Sequence, residues 1–149
     1  MIAWKYIDKT AATISAMRDY DNMRAIINNT PDEIKTIYEN LSSPRASAIS
    51  GVPSTRNPQS SEDRLADQID RLDVLRERYS TAVAYMKWFE PAWGTMTDRE
   101  KHILRECYMT ESLRNGARLR LSEELNYTER HIDNLRDKAL KRLRTLLFG

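Results

Sequence analysis

The stretch that most narrows the possible folds runs from Leu119 to Phe148. Leu121 and Leu125 fit one face of a short helix. Asn126 follows, a residue that tolerates the left-handed backbone with which helices often end. Thr128 is placed to cap a new helix, in which Ile132, Leu135, Ala139, Leu143 and Leu146 recur every three or four residues. Such a stripe must be buried on a neighbour, and the residues around it are basic. A short helix, a tight turn and a longer basic helix make a helix-turn-helix. Upstream, Thr97-Asp98-Arg99-Glu100 is a capping box. It opens a helix over about residues 96–108 with Ile103, Leu104, Cys107 and Tyr108 inward, the first support helix of the module.

The remainder also reads as helix. With 31% charged residues and only four glycines, the chain favours an all-α fold over a sheet. Trp4, Ile7, Ala11, Ile14, Met17 and Met23 to Ile27 predict a helix from about Ile2 to Asn28. Thr30-Pro31-Asp32-Glu33 predicts a fresh start: threonine as cap, proline in the first turn, Glu33 closing the box. Ile34, Ile37, Tyr38 and Leu41 would form the inner face of that second helix, so residues 1–41 are expected to be a helical hairpin. Residues 42–61 hold Pro44, Pro53, Pro58, Gly51 and many serines, and read as a linker.

A long helix is expected from about Glu62 to Glu90, stopped by Pro91, in a segment spanning 62–95. Leu65, Ile69, Leu72, Arg76, Tyr79, Val83 and Met86 alternate at spacings of four and three, a heptad seam with one charged position. Two partners are open to it: a second copy of the chain, in a homodimeric coiled coil, or the N-terminal hairpin of the same chain. Leu75 and Ala82 broaden the stripe enough for both. Trp88, Phe89 and Trp93 flank Pro91 and are expected to form a satellite core that joins this helix to residues 96–149.

Charge is distributed unevenly. Residues 1–96 carry 12 Lys+Arg and 13 Asp+Glu, whereas residues 97–149 carry 12 and 9. The basic excess falls on the helix-turn-helix, as it should at a nucleic-acid-binding end. With Ile132 at the centre of the buried side and about 100° per residue, Arg130, Asn134 and Lys141 point nearly opposite, with Asp137 and Lys138 beside them. Thr128 and His131 lie at the helix start. Residues near the start of a recognition helix reach base edges. Arginine matches guanine and asparagine matches adenine in the major groove, while lysines further along meet phosphate. The expected DNA-binding set is therefore Thr128, Arg130, His131, Asn134, Lys138 and Lys141. Arg142 and Arg144 are expected to complement the helix dipole.

Leu125-Asn126-Tyr127-Thr128-Glu129-Arg130-His131-Ile132, followed by Lys138-Ala139-Leu140-Lys141-Arg142-Leu143-Arg144, resembles the end of region four of sigma factors. With the helix before it, the order and spacing are similar to those of small phage regulators of the RinA and ArpU kind. The resemblance covers roughly the last third of the chain. Asn126 replaces the usual turn glycine, and Ser122 stands where a small alanine usually packs, so its hydroxyl needs a local hydrogen bond. The connection Thr110 to Arg118 is longer than the family's. The resemblance implies a sequence-specific regulator that binds double-stranded DNA in the bacterial host cytoplasm. It would activate late phage or prophage genes near RNA polymerase, as a homodimer. Two other readings stay open: a DNA-packaging protein of the small-terminase kind, and a module that binds polymerase or a sigma factor without reading DNA.

Chemistry of other kinds is thinly represented. His102, His131 and the single Cys107 have no familiar zinc spacing. There is no Walker loop or dinucleotide fingerprint, and carboxylates alternate with basic residues as on a solvated helix face. No cofactor, metal or enzymatic activity is expected. No apolar run approaches the ~18 residues of a membrane span, and Lys5, Asp8 and Lys9 interrupt the N-terminus too early for a signal peptide.

Overall fold

The expected hairpin break at Pro31 does not occur. In the computed structural model a single helix, α1 (Lys9–Ser42), runs through it with Pro31 inside. The reason lies in the spacing of what is buried. Met23, Ile27, Thr30, Ile34 and Ile37 keep an unbroken alternation of four and three, and Thr30 and Ile37 are almost wholly buried. Thr30 is thus part of the inner face and not a cap. The true start is Asp8, whose Oδ1 accepts from the backbone N–H groups of Thr10 and Ala11, each at 3.0 Å. Carboxylate capping at this end also suits the helix dipole.

The structure describes residues 7–42 and 58–149. Among them the fold is all-α, with five α-helices and no strand. After α1 come α2 (Pro58–Thr95), α3 (Asp98–Leu104), α4 (Ala117–Leu125) and α5 (Glu129–Phe148). A π-helical turn, Arg105–Met109, continues α3, and a 3-10 turn, Glu111–Leu113, leads into α4. The first support helix is therefore shorter than expected and changes type at Arg105. Most of the expected linker, 43–57, lies outside the described residues, but its end is helical, since α2 begins at Pro58.

Nor does Pro91 stop the long helix, which continues to Thr95. Ala92, Trp93 and Met96, all beyond the proline, are buried. Burying Trp93 and Met96 stabilises by about 2–3 kcal/mol each, which outweighs the ~3 kcal/mol an interior proline costs. No helix among the described residues is long and apolar enough to cross a membrane.

The chain divides into two compact units, Met1–Arg24 with Val83–Gly149, and Ala25–Ala82. The larger unit has two cores. In one, Ala16, Met17 and Tyr20 of α1 meet Phe89, Ala92, Trp93 and Met96, with Leu104 and Met109 of the α3 segment and Ala139, Leu140 and Leu143 of α5. Phe89 stacks on Tyr85 and Trp93 at centroid distances of 5.4 and 5.8 Å. The aromatic group is therefore central rather than a satellite, although Trp88 is 41% exposed and meets only its edge and Phe148. The second core is Ile103, Leu121 and Ile132, with Cys107, Leu125, Tyr127 and Leu135 against it.

The smaller unit is built on Ile37, Leu72 and Leu75, with Ile34 packed beside them. Here the seam departs from expectation. Leu72 and Leu75 are buried within the chain, whereas Leu65 and Ile69 are about half exposed (49% and 47%). Arg76 donates to the Tyr38 hydroxyl at the surface. Tyr79, Val83 and Met86 are half-buried, and Ala82 is fully buried. The inner face of α2 thus follows Leu72, Leu75, Tyr79, Ala82, Met86 and Phe89, a frame that shares only alternate positions with the Leu65 frame.

Candidate nucleic-acid interface

Local chemistry fixes the turn between α4 and α5. Asn126 ends α4 in the left-handed region (φ 56°, ψ 39°), the sole described non-glycine residue with positive φ. The Ser122 hydroxyl donates to the Tyr127 carbonyl, and the Tyr127 N–H returns to the Ser122 carbonyl at 3.1 Å. The local bond that Ser122 required is therefore present. Thr128 caps α5 by accepting from the His131 N–H at 3.2 Å. Before α4, Gly116 takes φ 75°, a conformation for which glycine is suited. The longer connection is held by Arg114 Nε to the Tyr108 carbonyl (3.1 Å) and by Arg120 to the Leu113 carbonyl (2.7 Å).

The two cores share α5 between them. Ile132 and Leu135 near its start pack with α3 and α4. Ala139, Leu140 and Leu143 pack with α1 and α2. Leu140 takes the inward place that periodicity assigns to Leu146, and Leu146 is left 42% exposed. At its far end Arg142 does more than complement a dipole. It donates to Glu100 Oε2 at 2.7 Å and to the Thr95 carbonyl at 3.2 Å, joining α5 to the capping box of α3 and the end of α2. That box forms as expected, with Glu100 also accepting from the Thr97 N–H at 2.8 Å. Burial pushes the Glu100 carboxyl up, but these hydrogen bonds and the Arg142 charge outweigh it and hold the group below its ordinary value. Arg144 reaches the Thr10 hydroxyl at 3.2 Å.

With both inner faces occupied, the outer face is defined. Thr128, Arg130, His131, Asn134, Lys138 and Lys141 are all exposed. Arg130, Asn134, Lys138 and Lys141 follow one another at spacings of four, four and three, one continuous strip. Lys138 and Lys141 join Arg142, Thr145 and Leu146 around a shallow open groove. The His131 ring lies edge-on to Tyr127, 4.6 Å between centroids, at the head of the strip.

Charge pairing sorts the residues of α5. Its three acidic residues are all engaged by arginines. Arg118 of α4 reaches Glu129 at 3.2 Å and Asp133 at 2.9 Å, and Arg136 lies 3.5 Å from Asp133 and 3.3 Å from Asp137. By contrast, Arg130, Lys138 and Lys141 make no ion pair among the described residues. Glu129 and Asp133 consequently turn toward α4. Arg118 was not evident from sequence, because its partners lie 11 and 15 residues away across the turn. A basic residue one turn into the helix facing two acids at i and i+4 is the signal that would have found it. Cys107 is half-buried in the second core, and burial pushes its thiol up, as befits a packing residue.

No family model, curated protein or solved structure matches the chain.

Proposed function

We propose that the protein is a sequence-specific DNA-binding transcriptional regulator, an activator of late phage or prophage genes that works near RNA polymerase in the bacterial cytoplasm. The observation that carries this reading is the sorting of charge on α5. Its acids are neutralised from within the molecule, and its unpaired cations lie with Asn134 on the one face that packing leaves open. Unpaired cations on an exposed helix of a helix-turn-helix are suited to phosphate, and their counterions would be released on binding. Arg130 and Asn134, one turn apart and near the helix start, are suited to base edges.

A homodimer belongs to the same reading. Leu65, Ile69 and Val74 are each about half exposed on α2, an apolar surface that a second copy would cover. Two-fold pairing would also match the two half-sites such modules read.

DNA selected from a random pool tests the reading. A single enriched motif is expected from the wild type. Asn134→Ala should relax one position of it, at about 1–3 kcal/mol of lost discrimination, with non-specific affinity nearly intact. Arg130→Ala should lose both a base preference and some salt-dependent affinity. If no motif is enriched, the protein is not a reader of sequence.

A further inference from the structure

His102, Glu106 and Glu124 converge at the other side of the helix-turn-helix, away from the strip on α5. One residue comes from α3, one from the π turn and one from α4. Their nearest nitrogen and oxygen atoms all lie within 4.8 Å of one another. His102 Nε2 is 3.1 Å from Glu124 Oε1 and 3.2 Å from Oε2, and 3.7 Å from Glu106 Oε1. The other Glu106 oxygen is held by Arg120 Nε at 3.1 Å. Glu106 is largely buried, while His102 and Glu124 are partly open to solvent.

A bridging proton suits this arrangement poorly. A single Nε2–H points along one line and serves one acceptor well, yet three oxygens face this nitrogen. A cation placed among them would meet all three at once. The mixture of one imidazole and two carboxylates is a donor set that borderline divalent metals accept. Ligand oxygens and nitrogens about 2.0–2.2 Å from a zinc ion sit a little over 3 Å apart, so the groups need to shift little. Arg120 meanwhile anchors Glu106 from behind, as outer hydrogen-bond partners anchor metal ligands. Three protein ligands leave a tetrahedral ion with a fourth position for water.

We infer that His102, Glu106 and Glu124 form a binding site for one divalent cation of the zinc type, which clamps α4 to the α3 segment. The clamp spans the two helices that support α5, so the ion stabilises the whole helix-turn-helix. Binding displaces a proton from the imidazole wherever it is protonated, and affinity therefore falls as pH drops through the ordinary histidine range.

Zinc and cobalt(II), each added alone to the full-length chain freed of any affinity tag, test the inference. One equivalent should bind by calorimetry, cobalt should give the intense visible absorption of a tetrahedral centre, and the thermal midpoint should rise by several degrees at saturating metal. His102→Ala and Glu124→Gln, both at surface positions, should keep the metal-free midpoint near that of the wild type and lose the cobalt absorption and the metal-induced rise. If wild type binds neither ion, or binds them equally well after His102→Ala, there is no such site. None of these readouts involves DNA, so their failure would leave the reading of α5 untouched.

Discussion

The two units are built from the same two long helices but differ in what the helices meet. In the larger unit, α1 and α2 are joined by α3, the π turn, α4 and α5, and the paired cores bury Met17, Phe89, Leu104, Ile103, Leu121, Ile132 and Leu143 almost completely. In the smaller unit, Ile37, Leu72 and Leu75 are the core, and Tyr38, Leu41, Leu65, Ile69 and Val74 remain 40–56% exposed. A pair of helices cannot surround a side chain, so most apolar residues on it stay half wet. A third element makes the difference between touching and enclosing. The larger unit therefore has what it needs to hold a functional surface rigidly, whereas the smaller one gains most from a partner.

Truncating one core residue in each unit is the strongest way to break this contrast. Phe89→Ala should cost about 3–5 kcal/mol and lower the midpoint for the larger unit. Leu75→Ala should cost about 2 kcal/mol, and its loss of amide protection should be confined to 25–42 and 58–82. Hydrogen exchange with mass spectrometry reads both. Protection lost evenly over the chain in Leu75→Ala would mean that the units unfold as one.

Next in size are two charges placed on α2. Leu72→Asp puts an unpaired carboxylate into the smaller core and should destabilise that unit by several kcal/mol. Ile69→Asp, on the open side, should leave helix content unchanged and convert a dimer to a monomer. Sedimentation of both variants beside wild type separates the effects. A wild type that is monomeric at micromolar concentration ends the case for self-association through this face.

A smaller effect sharpens the account of how α5 is held. Arg142→Ala should cost about 1 kcal/mol, since the guanidinium is partly solvated. The Glu100 carboxyl it faces lies below its ordinary value in the folded chain. Between the folded and unfolded values the unfolded chain binds more protons, so stability rises with pH across that window. The contribution of Glu100 is thus complete above the ordinary glutamate value of about 4.3 and lost as pH falls through the lower, folded one. Melting of wild type and Glu100→Gln should converge on acidification; a gap that persists unchanged at low pH would assign the loss to the cap geometry alone.

The least effect on stability is expected where the functional effect is sought. Lys138→Ala and Lys141→Ala should each leave stability within about 0.5 kcal/mol of wild type. Each should reduce the salt dependence of DNA binding by about one unit if it meets one phosphate. A slope unchanged in both would remove these lysines from the interface.

What was legible in the sequence had its cause within a few residues. The cap at Thr128, the left-handed Asn126, the hydroxyl bond of Ser122 and the capping box at Thr97 are each settled by neighbours along the chain. Both proline readings failed for the opposite reason. A local rule predicts a break at Pro31 and Pro91, but the burial of Ile34 and Ile37 in one case, and of Trp93 and Met96 in the other, acts on the far side of the proline and needs the helix to continue. The frame of α2 was ambiguous because Leu72, Tyr79 and Met86 belong to both possible stripes. Only packing chooses between Leu75 and Arg76. Arg118 and Arg142 were invisible as clasps since their carboxylates lie on other helices.

The π turn has a consequence for how the chain tolerates change in length. Its signature is the Thr110 N–H bonding to the Arg105 carbonyl, five residues back, at 3.0 Å. It lets Leu104 and Met109 enter one core while Ile103 and Cys107 serve the other. An α-helix of the same segment would carry one residue fewer around the same circuit. Deleting a single residue between Arg105 and Met109 would convert the wide ring to an ordinary one and turn everything after it by about 100°. Met109 would leave its place, and α4 would approach α5 from another direction. This is the one point in the supporting helix where the chain holds a spare residue, and also where losing it would re-aim the helix-turn-helix without changing any residue of the turn itself.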